Sequence, residues 1–313
     1  MCKNVLLIGG GGTLGTYTAE NLLKMGHKVD ILCPEDKISD NENLVFYKGY
    51  GTEETLKEMF SKKDYDGIVN FIHYQNIEEY KPMHKLLCEN TDHLIFLSSY
   101  RVYADKQSPI TESAPQLLDV SEDEDFVAEE LYAIKKAEAE RYIRGAEYKN
   151  WTIVRPVISF SQYRFDLFMY SGDVLIEAAR GGITKYLPLK AKNLAAGIDW
   201  AGNSGKLIAN LLFKKEAIGK AFTISSAQNL TWGQVAEIYS EVLGIEIEWV
   251  SEEEYLNSIP PMNKYVNWQY LYDRLFDRKI DNSAVLNVTG LKNSDFTFIK
   301  EGLKTELKIA GVI

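Results

Sequence analysis

The sequence has few of the residues that build disulfide frameworks or metal sites. Its 313 residues include three cysteines and four histidines. Cys2, Cys33 and Cys88 are scattered and form no Cys-x-x-Cys pair, and the histidines show no spacing typical of metal ligands. An odd number of isolated cysteines is typical of free thiols in a reducing compartment, so we expect a cytoplasmic protein. The sequence predicts no metal site.

Basic residues and long apolar runs are also scarce. The chain has 35 Lys and Arg against 45 Asp and Glu, a formal net charge of −10 at pH 7. A nucleic-acid partner is not expected, because such surfaces need clustered cations. No apolar run has the length of a bilayer span, and the first one ends in glycines after four residues. The sequence therefore predicts neither a membrane segment nor a signal peptide.

What the sequence does contain is a glycine-rich stretch directly after a short apolar run, Val5-Leu6-Leu7-Ile8-Gly9-Gly10-Gly11-Gly12-Thr13-Leu14-Gly15. The apolar run predicts a strand buried on both faces, and residues 13–25 have helical spacing. Strand, glycine turn and helix form the context of a dinucleotide-binding motif, in which glycines let the backbone approach a pyrophosphate at the helix N-terminus. A glycine cluster alone is weak evidence, and the flanking strand and helix strengthen it.

These glycines fit two registers. One is Gly10-x-Gly12-x-x-Gly15, and the other is Gly9-x-x-Gly12-x-x-Gly15. Motifs further along the chain favour the second register. Gly10 and Gly11 are then interpreted as extra looseness in the turn.

The first half of the chain alternates strands and helices, which predicts parallel β-α-β units. Further strands are predicted at 27–32, 44–47, 66–72, 93–98 and 151–154, with helices at 52–60, 78–90 and 126–149. The predicted fold is α/β, a Rossmann-type doubly wound parallel sheet with a smaller mixed α/β C-terminal lobe. Residues 1–160 would be the dinucleotide-binding domain and 161–313 a substrate-binding lobe interleaved with it. In that lobe, the aromatic-rich stretch around 268–276 is expected to pack as core or lid.

Two polar motifs carry the predicted chemistry. Ser99 follows the fifth predicted strand, at the edge of the sheet where ligands bind in open α/β folds. Tyr132 and Lys136 are four residues apart on a predicted helix and can therefore face one cleft. A phenol is a poor base near neutral pH, but a neighbouring ammonium favours the phenolate and makes a general base possible. With 19 tyrosines a Tyr-x-x-x-Lys pair also arises by chance, and only its combination with Ser99 and the glycines favours function.

Together these motifs resemble the extended short-chain dehydrogenase/reductases, the NAD-dependent (nucleotide-sugar) epimerase/dehydratase family. The resemblance is strongest over residues 1–156 and includes Ser98-Ser99-x-x-Val102-Tyr103, Ile110-Thr111-Glu112 and Trp151-Thr152-Ile153-Val154-Arg155-Pro156. It implies that Ser99, Tyr132 and Lys136 are catalytic. The residues it implies for cofactor binding are Gly9, Gly12, Thr13, Leu14, Gly15, Cys33, Asn70, Tyr132, Lys136 and Arg155. Those implied for substrate binding are Ser99, Arg101 and Glu112.

The sequence departs from the family pattern at several positions. Cys33-Pro34 stands where users of NAD have an acid and users of NADP an arginine, so the cofactor is NAD or NADP, with NAD favoured. Tyr100-Arg101 replaces the Asp-Glu pair of 4,6-dehydratases, which disfavours that reaction. His73 falls where relatives carry a small residue beside the cofactor. The arginine that relatives use in the C-terminal lobe to bind a nucleotide diphosphate was not identified.

Two functions remain open at this point. The first is an NAD(P)-dependent epimerase or reductase that acts on a hydroxyl or keto carbon of a sugar or nucleotide-sugar-like substrate, with Tyr132 as general base. The alternative is a non-catalytic NAD(P)-binding sensor or scaffold of the same fold. The expected partner is a small, sugar-like molecule. A homodimer is also possible, because the helix bearing the tyrosine often lies in a dimer bundle in this family.

Overall fold

The computed structural model describes residues 2–313. Its strands are β1 (Asn4–Ile8), β2 (Lys28–Cys33), β3 (Leu44–Lys48), β4 (Gly67–Asn70), β5 (His93–Leu97), β6 (Trp151–Pro156), β7 (Ile158–Phe160), β8 (Lys185–Pro188), β9 (Ile198–Trp200), β10 (Lys220–Ile224) and β11 (Ile247–Val250). Its α-helices are α1 (Thr13–Lys24), α2 (Glu53–Lys62), α3 (Ile77–Glu89), α4 (Leu117–Val120), α5 (Glu124–Glu129), α6 (Ala133–Gly145), α7 (Gly172–Gly181), α8 (Ala201–Leu211), α9 (Trp232–Leu243), α10 (Glu252–Ser258), α11 (Lys264–Gln269), α12 (Ser283–Thr289) and α13 (Ile299–Ile309).

A parallel sheet forms the centre of the molecule. Within the described range it has seven strands in the order β10-β6-β5-β4-β1-β2-β3. The strand order reverses between β1 and β4, the point at which open α/β sheets bind ligands beyond the strand ends. The predicted doubly wound α/β fold is confirmed.

Both faces of this sheet are covered, as the uninterrupted apolar sequence of β1 predicts. Val5 and Leu7 point into a core shared with α1 and α8, while Leu6 and Ile8 point into a core shared with α2 and α3. All four side chains are fully buried. Burial on two sides fixes β1 firmly, and the glycine turn that follows it is held in one place.

One strand from the range predicted as the C-terminal lobe, residues 220–224, lies in the main sheet. As β10 it pairs with β6 and forms one edge of the main sheet. Two small parallel pairs, β8 with β11 and β7 with β9, lie outside that sheet. Because the chain returns to the sheet after leaving it, the proposed division near residue 160 separates two interleaved parts.

The predicted long helix 126–149 is interrupted. α5 ends at Glu129 and α6 begins at Ala133, so Tyr132 lies at the N-cap position of α6. One carboxylate oxygen of Glu130 accepts hydrogen bonds from the main-chain N–H groups of Tyr132 and Ile134, each 2.9 Å long. A side-chain acceptor at this point satisfies main-chain N–H groups at the start of a helix. The helical pattern of the sequence is continuous here, so it does not reveal the break between α5 and α6.

Among the described residues, none of the helices combines the length and the apolar character that crossing a bilayer requires.

Candidate active site

The glycine turn leaves the start of α1 open. Gly9 has φ +72°, a conformation that glycine adopts without strain. Gly12 is the N-cap of α1, no side chain caps the helix there, and its first turn contains no acid. A Cβ added to Gly12 would meet no atom within 4 Å. The first N–H groups of α1 therefore face free space and suit an anion.

Gly10 and Gly15 are required by packing. A Cβ on Gly15 would lie 2.2 Å from the carbonyl oxygen of Gly10, and one on Gly10 would lie 2.7 Å from the Cβ of Leu7. The interpretation of Gly10 as extra looseness is therefore wrong. A side chain at Gly15 would push the helix away from the turn, and a side chain at Gly10 would clash with Leu7 of β1.

A cleft of about 280 Å³ opens at the carboxyl edge of the sheet, beside this turn. Its walls come from four parts of the chain: residues 13–14, residues 97–101 with Tyr132, residues 156–159, and Arg164, Gln269, Asp273 and Arg274. Ser99 and Tyr132 thus line one cavity with the start of α1. Its volume is near the lower end of small-molecule sites, so it can hold the reacting part of a substrate.

Lys136 lies beneath this cleft and is almost completely buried. Its ammonium donates hydrogen bonds to the carbonyl oxygens of Leu97, at 2.5 Å, and Ile72, at 3.3 Å. Burial lowers the pKa of Lys136 to about 7, although the carboxylate of Glu140 acts in the opposite direction. The main-chain N–H of Lys136 donates to the carbonyl of Tyr132, so the two residues are one helical turn apart, as their spacing predicts.

His73 packs against Tyr132, with ring centroids 5.0 Å apart. Its Nε2 lies 2.8 Å from the carbonyl oxygen of Leu131 and its Nδ1 is buried without a hydrogen-bond partner among the described residues. Burial, and then the nearby charge of Lys136, lower the pKa of His73, so it is neutral at pH 7. An uncharged ring therefore packs beside the tyrosine.

Four residues of the C-terminal half were missed by the sequence analysis, namely Arg164, Gln269, Asp273 and Arg274. Asp273 and Arg274 end a π-helical turn, a distortion that is frequent at functional sites. Burial alone would raise the pKa of Asp273, but the guanidinium groups of Arg274, Arg101 and Arg278 hold it below its usual value. The sequence feature that could have identified them is the adjacent pair Asp273-Arg274, which interrupts the aromatic-rich stretch at 268–276.

An acidic side chain, Glu35, lies beside Gly11 of the glycine turn, and the sequence analysis gave it no role. A Cβ on Gly11 would lie 2.7 Å from a carboxylate oxygen of Glu35 and 2.9 Å from the Cβ of Cys33. Lys37 donates a 2.6 Å hydrogen bond to the carbonyl of Gly11. Cys33 itself is buried, and burial raises the pKa of its thiol. The charged groups nearest this end of the turn are therefore Glu35 and Lys37.

The structure places two predicted ligands outside this cleft. Arg155 was expected at the cofactor, but it is 1% exposed and its Nε donates to Glu140 at 2.8 Å. Glu112 was expected at the substrate, but its carboxylate accepts from the main-chain N–H of Thr223 in β10. Both residues line a different surface cleft, beside the edge strand. A buried guanidinium needs a carboxylate partner, and Glu140 on α6 provides it.

Asn70, at the end of β4, is also fully buried. Its side chain accepts from the main-chain N–H of Ile72 at 3.1 Å and donates to the hydroxyl of Tyr74 at 3.1 Å. The side chain orders the turn after β4, and it is not part of the cleft wall described above.

Comparisons with known proteins show which sequences and folds this chain resembles. The chain is 28% identical over 141 residues to a UDP-glucose 4-epimerase of Neisseria meningitidis serogroup A, a match that covers 36% of this chain and 42% of that relative's length. The solved UDP-glucose 4-epimerase of Thermotoga maritima with UDP-glucose superposes with a TM-score of 0.66 at 16% identity, over 97% of both chains. The Bordetella bronchiseptica enzyme WbmG in complex with NAD and UDP gives 0.71 at 13% identity, over 100% of this chain and 97% of that one. At these identities the structures establish the fold.

The family follows from a model match over residues 5–180, which is more than half of the chain. That match spans β1, the glycine turn, Ser99 and the Tyr132–Lys136 pair. It confirms the resemblance stated above and, at the level of the family, the expected NAD cofactor. The chain belongs to the NAD dependent epimerase/dehydratase family.

Proposed function

We propose that the protein is an NAD-dependent epimerase or reductase that acts on a hydroxyl-bearing carbon of a nucleotide-linked sugar, with Tyr132 as general base. One observation carries the proposal. Tyr132 and Ser99 line the same cleft as Thr13 and Leu14, the first residues of the helix that begins at the glycine turn. A base, a hydroxyl group and a phosphate-binding backbone are thus brought to one edge of the sheet.

The residues of the turn fit a dinucleotide. Space is free around Gly12, the start of α1 has no capping side chain, and the close packing of Gly15 on Gly10 leaves the backbone as the surface that a phosphate would meet. We assign Gly9, Gly12, Thr13, Leu14 and Gly15 to the pyrophosphate end. Glu35, near the position of Cys33, supplies the acid for the adenosine ribose.

The roles at the other end follow from position. Ser99 is 4% exposed, and its Oγ already accepts a hydrogen bond from the main-chain N–H of Arg101, so its proton is free to point at a substrate oxygen. Tyr132 takes the proton from that substrate hydroxyl. Lys136 holds positive charge close by and keeps Tyr132 aligned with the end of β5. NAD, held by the glycine turn, would supply a reversible hydride acceptor. Return of the hydride to the opposite face would invert the carbon, whereas departure of the keto product with the hydride kept on the cofactor would be a net oxidation, and the reverse of that reaction a reduction.

The substrate class rests on the relatives. The curated relative is a UDP-glucose 4-epimerase, and the structure of WbmG holds NAD and UDP. The match covers only 42% of that relative's length, so it does not by itself assign the relative's substrate to this chain. The nucleotide-sugar substrate is therefore part of the proposal. The arginines at positions 101, 164 and 274 in the cleft support an anionic ligand of this kind.

The test is the Tyr132→Phe variant, measured for turnover of UDP-sugars and for NAD affinity by calorimetry. Loss of the base is expected to lower turnover by about 10²–10⁴-fold while leaving the dissociation constant of NAD unchanged. Tyr142→Phe is the matched control, because Tyr142 lies on the same helix but packs against Tyr80 and His84. Unchanged turnover in Tyr132→Phe contradicts the assignment of the base. NAD binding without turnover by the wild type would instead favour a non-catalytic sensor or scaffold.

A further inference from the structure

The guanidinium of Arg101 has no hydrogen-bond acceptor in the structure. Its side chain is only 17% exposed, and its Nε is buried without a partner among residues 2–313. The other buried arginines are better paired, since Arg155, Arg274 and Arg278 each donate hydrogen bonds of 2.7–3.1 Å to protein oxygens. The Nε of Arg278 is likewise buried without a partner among the described residues, but both of its terminal nitrogens donate to carbonyls. A guanidinium offers five donors, and leaving them unmade in a buried site costs free energy.

The carboxylates nearest to Arg101 do not satisfy it. Oxygens of Glu130 and Asp273 both lie 3.6 Å from its nitrogens, beyond hydrogen-bond distance. One carboxylate oxygen of Glu130 accepts from two main-chain N–H groups at the start of α6, and the other is the oxygen that lies 3.6 Å from Arg101. Asp273 accepts from the hydroxyl of Tyr100 at 2.5 Å and pairs with Arg274. The protein therefore holds the guanidinium in place electrostatically but leaves its hydrogen-bonding edge unpaired.

Arg101 lies at the reacting end of the cleft. It is two residues after Ser99, and its guanidinium carbon lies 5.0 Å from the centre of the Tyr132 ring. The cleft wall carries three arginines against one aspartate, on a chain whose formal net charge is −10. Arg164 and Arg274 each donate to a carboxylate, whereas the carboxylates beside Arg101 lie too far away for hydrogen bonds. A planar guanidinium at this position matches a carboxylate through two parallel hydrogen bonds.

We propose that Arg101 binds a carboxylate that the substrate carries near the carbon whose hydroxyl faces Tyr132, so that the preferred substrate is a nucleotide-linked uronic acid instead of a neutral sugar. This inference rests on the proposed function. It adds the acidic character of the sugar and the residue that selects it. The arginines at positions 164 and 274 line the same cleft, but each already donates to a carboxylate, Arg164 to Asp166 and Arg274 to Asp273.

The experiment measures dissociation constants by calorimetry for UDP-glucuronic acid, UDP-glucose and UDP. All proteins carry NAD and the Tyr132→Phe substitution, so that no ligand is consumed. Arg101→Met is compared with Arg101→Lys, which keeps the charge without the planar fork, and with Arg141→Met, whose arginine pairs with Asp119 on the surface. Thermal melting of each variant checks that it is folded.

The expected result is that the parent protein binds UDP-glucuronic acid at least about tenfold more tightly than UDP-glucose. Arg101→Met should weaken binding of the acid by about 10–100-fold, the loss expected for a charged hydrogen-bonded pair, and leave UDP-glucose and UDP unchanged. The affinity of Arg101→Lys for UDP-glucuronic acid should lie between those of the parent and Arg101→Met. Arg141→Met should bind all three ligands as the parent does.

Three outcomes would overturn the inference. Equal binding of UDP-glucose and UDP-glucuronic acid by the parent protein shows that no carboxylate is selected. Equal weakening of all three ligands by Arg101→Met places the guanidinium at the diphosphate. If NAD binds but none of the three uridine ligands does, the proposed nucleotide-sugar substrate is wrong, and the inference about Arg101 is wrong for that reason. The first two outcomes contradict only the inference about Arg101.

Discussion

The Lys136 ammonium donates a 2.5 Å hydrogen bond to the main-chain carbonyl of Leu97, the last residue of β5. Ser98 and Ser99 follow Leu97 directly, and Tyr132 lies one helical turn before Lys136. This single contact therefore links the helix that carries the proposed base to the strand end that carries the proposed substrate-binding hydroxyl. It also places a buried amine, whose pKa burial lowers to about 7, next to the cleft.

Lys136→Met should remove both this link and the charge. We expect turnover to fall by about 10²–10⁴-fold, the usual range for acid–base machinery. Freeing the buried carbonyls of Leu97 and Ile72 should also lower the free energy of unfolding by about 1–3 kcal/mol. Steady-state kinetics and denaturant unfolding measure the two effects. Lys135→Met is the control, since Lys135 pairs with Glu138 near the surface, and an equal effect of both substitutions would contradict the assignment.

The two adjacent serines should behave in opposite ways. Ser99→Ala is expected to lower kcat at a smaller cost in stability than Ser98→Ala, because within the protein its hydroxyl only accepts a 3.2 Å hydrogen bond from the main-chain N–H of Arg101. Ser98 donates a hydrogen bond to the buried carboxylate of Glu140, so Ser98→Ala should cost about 1–3 kcal/mol of stability. Kinetics and melting curves on both variants distinguish the roles. A reversed pattern would make Ser98 the substrate-binding residue.

Arg155→Met should destabilise the protein strongly. It leaves the carboxylate of Glu140, which is 1% exposed, without its cation, and breaking a buried pair in this way costs about 3–5 kcal/mol. The exposed pair of Arg141 with Asp119 is a matched control, and Arg141→Met should change stability by less than about 1 kcal/mol. Urea unfolding gives both values. A small effect of Arg155→Met combined with lost NAD affinity would restore Arg155 as a cofactor ligand.

Substitutions in the glycine turn should separate packing from cofactor binding. Gly15→Ala places a methyl group 2.2 Å from the carbonyl oxygen of Gly10, and such overpacking typically costs about 1–3 kcal/mol of stability. Gly12→Ala meets no atom within 4 Å, so the free protein should melt almost normally. Its NAD affinity should nevertheless fall about tenfold or more, equivalent to at least 1.4 kcal/mol, because the methyl group occupies the proposed phosphate space. Unchanged NAD affinity in Gly12→Ala would place the cofactor elsewhere.

Stability should decrease as the pH falls from about 6.5 towards 4. Burial lowers the pKa of His93 to about 4, and its Nδ1 accepts a hydrogen bond from the main-chain N–H of Phe213, which requires the neutral ring. The unfolded chain, with an ordinary histidine pKa near 6.5, binds the proton more readily over this range, so protonation favours unfolding. At pH 5 the loss from this residue is about 2 kcal/mol.

The check for this pH dependence is urea unfolding of the wild type and His93→Gln at pH 7 and pH 5. The variant should lose less stability between the two pH values than the wild type. His84, whose pKa burial also lowers to about 4, accounts for part of the fall that remains. Equal falls in both proteins would show that His93 does not titrate in this way.

The sequence analysis was most successful where neighbouring residues determine the outcome. The strand, glycine turn and helix at 4–24 follow from local apolar periodicity, and the structure has them at β1 and α1. The sequence analysis was wrong where a single residue interrupts a continuous helical pattern. Residues 126–149 have helical composition throughout, yet the carboxylate of Glu130 binds the N–H groups that start α6 and divides the segment.

Charged side chains were the least predictable. Arg155 and Arg101 are both polar residues near motifs of the resemblance, and the sequence assigned both to ligands. One is satisfied by Glu140, while the other is surrounded by Glu130 and Asp273 at distances too long for hydrogen bonds. Asp273 is 172 positions away from Arg101 in the sequence, and no local pattern connects them.

The sequence by itself determined the fold class and the family resemblance and proposed Ser99, Tyr132 and Lys136 as the candidate catalytic set, because strand burial, glycine turns and helical spacing are local properties of the chain. Only the tertiary structure decided which charged groups enter the cleft. The partner of each buried guanidinium depends on how distant segments pack against each other. Arg155 lies 2.8 Å from its carboxylate and is hydrogen-bonded, whereas Arg101 lies 3.6 Å from its nearest carboxylates and is not, so a difference of less than 1 Å separates the two cases.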